Sequence, residues 1–121
     1  REIAHSKLGD NKQVHFCEPL DYLPFCHVMK RCHLILTDSG GLQEEGPALG
    51  KPVLVLRTTT ERPEAIDAGT AMLAGDSYDS VFQATNLLLE NSAFYQRMAH
   101  ASNPYGDGQA TEKIMEIIRA L

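Results

Sequence analysis

Residues 33–45 read HLILTDSGGLQEE, and this stretch decides the fold. Its first five residues form an apolar run that is too short for a helix and is typical of a strand covered on both faces of a sheet. The polar DSGG segment that follows predicts a tight turn, and a short helix is expected from Leu42 to Leu49, where Gly50 ends it. The stretch therefore predicts a strand, a turn and a helix in direct succession.

The same alternation continues on both sides of this stretch. Further strands are predicted at 13–17 (QVHFC), 52–57 (PVLVLR) and 70–74 (TAMLA). Apolar residues at helical spacing and capping residues predict helices at 1–8, 22–31, 62–68, 77–90, 91–100 and 109–121. Strands and helices that alternate with short connections predict an α/β fold with a Rossmann-like parallel sheet and helices on both faces, over one domain at 1–121.

Composition and charge argue against several classes of function. The 121 residues suffice for one domain, and a net charge of −5 without a long run of Lys or Arg argues against nucleic-acid binding. No apolar run is long enough to cross a membrane, so we expect a cytoplasmic protein with no membrane partner. The three cysteines and five histidines have no metal-ligand spacing, so no metal is expected. The start at Arg1 looks like the middle of a helix and predicts a fragment of a longer protein.

The start of the helix after HLILT is a candidate site for a phosphate ligand. Ligands bind beyond the carboxyl ends of strands in open α/β sheets, and a helix N-terminus offers unpaired N–H groups and the positive end of its dipole. Ser39, Gly40 and Gly41 would let a diphosphate approach the backbone closely, because glycine has no Cβ. The alternative is structural, with Ser39 as a helix cap and the glycines as a tight turn.

A carboxylate in the same helix is a candidate for binding a sugar. Glu45 lies about one and a half turns into the helix, where it can accept hydrogen bonds from both hydroxyls of a ribose. The alternative is a solvated surface residue, which is what we expect of Glu44.

The loop TTTERPE after the strand at 52–57 should face the same crevice. Its three hydroxyls, together with Arg62 and with Arg57 just before the loop, can bind phosphate oxygens or sugar hydroxyls. Arg62 stands at the start of a predicted helix, where a cation gains nothing from the dipole, so an anionic ligand is one reason for its position. An ion pair with Glu61 or Glu64 is the other.

Two other segments leave their roles open. Phe25, in YLPF at 22–25, is either a core residue or a neighbour of a uracil beside the nucleotide site. The loop NPYGDG at 103–108 is a linker to the last helix, or its Asp107 caps that helix.

Together these segments resemble the non-hydrolysing UDP-N-acetylglucosamine 2-epimerases. The matching stretches follow the family's order and cover essentially the whole chain: 22–25 (YLPF), 37–41 (TDSGG), 43–45 (QEE), 50–55 (GKPVLV), 59–65 (TTERPEA) and 103–108 (NPYGDG). Because all of them occur in series, the resemblance is strong.

The resemblance implies the C-terminal UDP-binding domain of a GT-B enzyme, in which two Rossmann-like domains face a cleft. It implies interconversion of UDP-N-acetylglucosamine and UDP-N-acetylmannosamine by anti elimination of UDP to 2-acetamidoglucal and re-addition with inversion at C2. Neither a metal nor another cofactor is implied. The parent protein is expected to be a homodimer.

The family's site residues can be placed on this sequence one by one. The resemblance implies that Ser39, Gly40 and Gly41 contact the diphosphate, that Glu45 binds the ribose, that Phe25 lies at the uracil through its backbone, and that Arg62 helps to hold UDP. The acid/base carboxylates and the catalytic His of the family have no matching position, so we assign no catalytic residue here and expect the chain to be inactive alone. A standalone UDP-binding module and a GT-B glycosyltransferase domain remain as alternatives.

Overall fold

The computed structural model describes residues 2–121 and contains a three-stranded parallel sheet with helices around it. The elements of the described chain are α1 (Glu2–Leu8), α2 (Tyr22–Arg31), β1 (Ile35–Thr37), α3 (Gly40–Ala48), β2 (Val53–Val55), α4 (Pro63–Asp67), β3 (Ala71–Leu73), α5 (Tyr78–Glu90), α6 (Ser92–Ala99) and α7 (Ala110–Ala120). The predicted α/β class is confirmed.

The sheet brings the ends of neighbouring strands to one edge. Its strands lie in the order β1-β2-β3, and Thr37 at the end of β1 pairs with Val55 at the end of β2. Since the pairing is parallel, the segments that follow β1 and β2 leave the sheet side by side. This is the arrangement that the two neighbouring buried strands predicted.

Both faces of the sheet are covered. β2 is completely buried, and its alternate residues belong to two different apolar clusters because successive side chains of a strand point to opposite faces. The cluster on the face of α4 consists of Val53, Val55, Ala65 and Ala71. The cluster on the face of α5 and α6 consists of Leu54, Ala74, Leu88 and Met98.

The predicted strand at 13–17 is wrong. In the described part of the chain this segment belongs to no sheet, and all of its residues except Val14 are exposed. A strand needs a hydrogen-bonded neighbour and a face to bury, and the segment has neither here. Phe16 instead stacks on His5, with ring centroids 3.9 Å apart.

The predicted turn at the two glycines is also wrong, because α3 begins at Gly40 rather than at Leu42. Ser39 is extended, with φ −80° and ψ 131°, and the helix follows at once. Gly40 lies close to another segment: a Cβ at this position would lie 2.7 Å from Oε1 of Glu61, so that side chain would have to shift. The missing side chain therefore allows a close approach rather than a turn.

α3 packs directly on the sheet. A Cβ on Gly46 would lie 2.5 Å from Cγ2 of Val53 and 3.1 Å from Cδ1 of Ile35. The absence of a side chain at position 46 thus lets the helix backbone pack closely on Ile35 of β1 and Val53 of β2.

Candidate functional site

The N-terminus of α3 lies directly beyond the end of β1. The side-chain oxygen of Thr37, a buried residue, accepts the N–H of Ser39 at 3.0 Å, and this bond guides the chain from strand to helix. Within the described chain, the exposed Ser39 makes no side-chain capping hydrogen bond to the helix. Ser39 is the N-cap residue of α3, as the structural alternative expected, but its hydroxyl is not used for capping. The first N–H groups of a helix lack acceptors within the helix, so this end can bind an anion.

A carboxylate already lies against this helix start. Oε1 of Glu61 is 2.7 Å from the position that a Cβ on Gly40 would take, and Oε2 of Glu61 accepts from Nη1 of Arg57 at 3.1 Å. Both side chains of this ion pair are about half exposed, at 43% for Arg57 and 50% for Glu61. Since the start of a helix favours negative charge, the carboxylate is stabilised where it lies.

Arg62 forms an ion pair across the two segments. Its Nε donates to Oε1 of Glu44 at 2.5 Å, and its Nη1 donates to the backbone oxygen of Glu61 at 3.3 Å. The hydrogen bond and the charge of Glu44 raise the pKa of Arg62. The sequence predicted an ion pair of Arg62 with Glu61 or Glu64, and this choice of partner is wrong. The carboxylate that pairs with Arg62 is that of Glu44, for which the sequence predicted a plain surface residue.

A buried amide joins the same two segments. Gln43 is completely inaccessible to solvent; its Nε2 donates to the backbone oxygen of Ser39 at 3.3 Å, and its Oε1 accepts from Oγ1 of Thr60 at 2.5 Å. Oγ1 of Thr60 accepts in turn from the N–H of Arg62 at 3.0 Å. The start of α3 and the loop before α4 are therefore connected by a continuous chain of hydrogen bonds.

Glu45 faces α2 rather than open solvent. It lines a small cavity of about 170 Å³ between α2 and α3, together with Tyr22, Cys26 and three apolar residues. A hydrogen bond with the Cys26 thiol, followed by the charges of Cys26 and Glu45, raises the pKa of Tyr22. The position of Glu45 beside a cavity argues against the alternative of a freely solvated carboxylate.

Phe25 is half-buried on α2, the helix that also carries three residues of this cavity. Its N–H donates to the backbone oxygen of Asp21 at 3.0 Å and is therefore already engaged. The structure places Phe25 in the helix beside Glu45, whereas its predicted contact with a uracil through the backbone stays a prediction.

The NPYGDG loop returns to the site instead of serving as a plain linker. Tyr105 packs against the cluster around Ala65 of α4, and its hydroxyl oxygen is buried. Burial, followed by the charges of Glu64 and Glu44, raises the pKa of Tyr105. Asp107 is not the cap residue of α7, which is Gln109, but it accepts the N–H of that residue at 3.0 Å.

Four of the six predicted site residues meet at one place. Ser39, Gly40 and Gly41 form the start of α3, and Arg62 is tied to that helix by its partners. Glu45 lies further along the same helix, and Phe25 lies on the neighbouring α2. Sequence reasoning missed the two residues of α3 that join these parts, Gln43 and Glu44, and it considered Arg57, Thr60 and Glu61 only as ligand or ion-pair candidates. The hydrogen bonds of Gln43 and Glu44 to the loop span 17 and 18 residues of sequence, so no local pattern could have found them.

Other kinds of site are not found in the described part of the chain. Among residues 2–121, no group of three or more His, Cys, Asp or Glu side chains is arranged to hold a metal ion. None of the helices in that range has the length and apolarity needed to span a membrane.

Comparison with known proteins places the whole chain in one family. The family described as UDP-N-acetylglucosamine 2-epimerase matches residues 1–119. The UDP-N-acetylglucosamine 2-epimerase of Bacillus subtilis (strain 168) is 53% identical over 116 residues, which are 96% of this chain and 30% of that protein. This chain thus spans about a third of the length of the relatives that it matches.

Solved structures agree with the sequence comparison. The crystal structure of UDP-GlcNAc 2-epimerase from Neisseria meningitidis bound to UDP-GlcNAc has a TM-score of 0.94 and 46% identity, and the match covers 99% of this chain and 33% of that one. The structure of S. aureus MnaA with UDP has a TM-score of 0.90 and 47% identity, over 98% of this chain and 32% of that one. The fold, the order of the motifs and these likenesses agree, and the chain belongs to the UDP-N-acetylglucosamine 2-epimerase family.

Proposed function

We propose that this chain is the C-terminal UDP-binding domain of a UDP-N-acetylglucosamine 2-epimerase. The observation that carries the proposal is the meeting, at one edge of the sheet, of the start of α3 and the loop that bears Arg62. A diphosphate placed there meets the N–H groups of Gly40 and Gly41, the exposed Ser39 hydroxyl and a permanent cation. The likeness to relatives with UDP-GlcNAc or UDP bound supports the same ligand class.

The remainder of the ligand fits the neighbouring residues. Glu45 lies about one and a half turns beyond the helix start, and its carboxylate accepts hydrogen bonds from the ribose hydroxyls. The uracil lies towards α2, where Phe25 borders it. In this orientation the diphosphate lies at the start of α3, and the nucleoside extends towards the cavity that Glu45 lines.

The proposed reaction makes UDP a leaving group and then a nucleophile. The bond from C1 to UDP breaks as C2 loses its proton, which gives 2-acetamidoglucal; UDP then adds back to C1 and C2 regains a proton on the opposite face. The departing UDP gains negative charge, which the α3 start and Arg62 stabilise. They also keep UDP in place for its return. No acid or base is assigned to this chain, so it holds UDP but does not catalyse epimerisation alone.

Binding of UDP tests the proposal at the level of the chain. We expect UDP to shift the NMR signals of residues at the start of α3 and in the loop before α4, and we expect Glu45→Ala to abolish the shifts. Glu116→Ala, an exposed carboxylate of α7, is the matched control and should leave binding as it is. Binding that Glu45→Ala leaves unchanged would remove this residue from the site.

Turnover tests the proposal at the level of the parent protein, which we propose to be a cytoplasmic homodimer. The full-length protein should convert UDP-N-acetylglucosamine to UDP-N-acetylmannosamine, and the 121-residue chain should not. If the full-length protein binds UDP but forms no epimer, the chain is a UDP-binding module of another kind. Transfer of the sugar to an acceptor would instead identify a glycosyltransferase.

A further inference from the structure

We infer that Gln43 and Thr60 are positioning residues for the diphosphate, which hold the two halves of its site at a fixed separation without contacting the ligand. The inference rests on the proposed function and deepens it, because it explains how the start of α3 and the Arg62 loop act as one site.

The burial of Gln43 is the first step. This side chain is 0% exposed, and a buried amide is destabilising unless its hydrogen bonds are made. Both ends of the amide are used, and each end bonds to a different segment: the Nε2 group bonds to Ser39, and Oε1 bonds to Thr60. An apolar residue could fill the same space but could not make these two hydrogen bonds. We therefore assign the amide the role of linking Ser39 to Thr60.

Thr60 completes the connection. Its hydroxyl donates to Gln43 and accepts the backbone N–H of Arg62, which uses the hydroxyl in both of its roles. Hydrogen bonds in such a chain strengthen one another in a buried setting. The backbone of Ser39 and the backbone of Arg62 are thereby fixed relative to each other through two side chains.

This geometry makes a selective prediction about the ligand. Ser39 and Arg62 are the residues proposed for the diphosphate, whereas the ribose and uracil are assigned to Glu45 and α2. Breaking the connection should therefore weaken the binding of UDP, which has the diphosphate, and leave the binding of uridine, which lacks it, unchanged. General damage to the fold would weaken both ligands alike.

The test uses Thr60→Val, which keeps the shape of the side chain and removes the hydroxyl, and Thr60→Ser, which restores the hydroxyl. NMR titration of the 121-residue chain with UDP and with uridine measures both affinities, and circular dichroism checks that each variant is folded. Thr60→Val removes both hydrogen bonds of the hydroxyl, and we expect about tenfold weaker binding of UDP, with uridine binding unchanged. Thr60→Ser should recover most of the affinity.

Two further variants sharpen the test. Gln43→Leu breaks the connection from the other side and should show the same selective loss of UDP affinity as Thr60→Val, with uridine binding unchanged. Thr85→Val also removes a threonine hydroxyl and its hydrogen bond, in this case to the backbone oxygen of Val81 at 2.7 Å within α5, and should change neither affinity.

The outcomes separate this inference from the proposed function. If the wild-type chain binds UDP and Thr60→Val binds it equally well, the inference fails and the proposed function stands. Equal losses of UDP and uridine affinity would also overturn it, since they indicate a structural defect. A wild-type chain that binds no UDP would overturn the proposed function and the inference together.

Discussion

The Glu61 carboxylate lies at the start of α3, where the proposed diphosphate has to bind. Its Oε1 lies 2.7 Å from the position that a Cβ on Gly40 would take, and Arg57 is its ion-pair partner. The Glu61 carboxylate and the proposed diphosphate would repel each other at the start of α3, so we expect Glu61 to move aside when the ligand binds.

Glu61→Gln should therefore strengthen the binding of UDP. The substitution keeps the size of the side chain and removes its charge, and for a half-exposed carboxylate we expect a gain of roughly two- to fivefold in affinity at low salt. Uridine should bind as before. NMR titration measures both, with Glu90→Gln at the end of α5 as the control; weaker UDP binding by Glu61→Gln would mean that the carboxylate assists the ligand.

At the scale of elements, the loop before α7 holds this helix by a charged contact. Oδ2 of Asp107 accepts from Nζ of Lys113 at 2.9 Å, and Oδ1 accepts the N–H of Gln109. The hydrogen bond with Lys113, followed by that with Gln109, lowers the pKa of Asp107 below its ordinary value of 3.8. A carboxyl with a lowered folded pKa stabilises the structure above its unfolded pKa, and this contribution is lost as the pH falls through the folded pKa.

Asp107→Asn should accordingly reduce the helicity of α7 at neutral pH and have no further effect in acid. Cα chemical shifts of residues 110–120 measure this helicity between pH 7 and pH 2. The wild-type shifts should approach those of the variant as the pH falls below about 4. Asp10→Asn, in the exposed turn after α1, is the control; a difference at 110–120 that persists unchanged at pH 2 would contradict the role of the charge.

The strands show how much of the fold could be predicted from the sequence. The apolar runs at 33–37 and 52–57 predicted β1 and β2, and parallel pairing predicted that their ends meet. The run at 13–17 has similar apolar content but no neighbour in the described chain, and pairing cannot be read from a single segment. The hydrogen bonds of Gln43 and Glu44 form between side chains that meet only after the sheet has formed. The sequence therefore predicted where the candidate site lies but not the hydrogen bonds that connect its parts.

At the scale of the whole molecule, α7 stands apart from the core. None of its residues is buried in the described chain, and its apolar side chains are largely exposed, including Ile117 at 64% and Ile118 at 55%. An apolar stripe of this kind adds little to the stability of the chain and favours self-association.

Removal of residues 110–121 should therefore leave the thermal midpoint of the chain within about 3 °C of the wild-type value and reduce its self-association. Met98→Ala is the contrasting variant, because it empties a buried position in the cluster of α5 and α6 and should cost about 2–5 kcal/mol. Calorimetry and light scattering measure the two properties. A large fall in the midpoint after truncation would show that α7 supports the core.

The three-residue pairing of β1 with β2 has a consequence for evolution and for engineering. A slip of one residue along these strands would carry one loop about 3.3 Å past the other, which is further than any hydrogen bond can stretch. The spacing of the proposed diphosphate contacts therefore depends on the β1–β2 register and on the close approach of α3 to Val53, a buried side chain that no ligand reaches. We expect substitutions that change the contact between Val53 and Gly46 to alter the affinity for UDP, and a search limited to residues that touch the ligand would miss them.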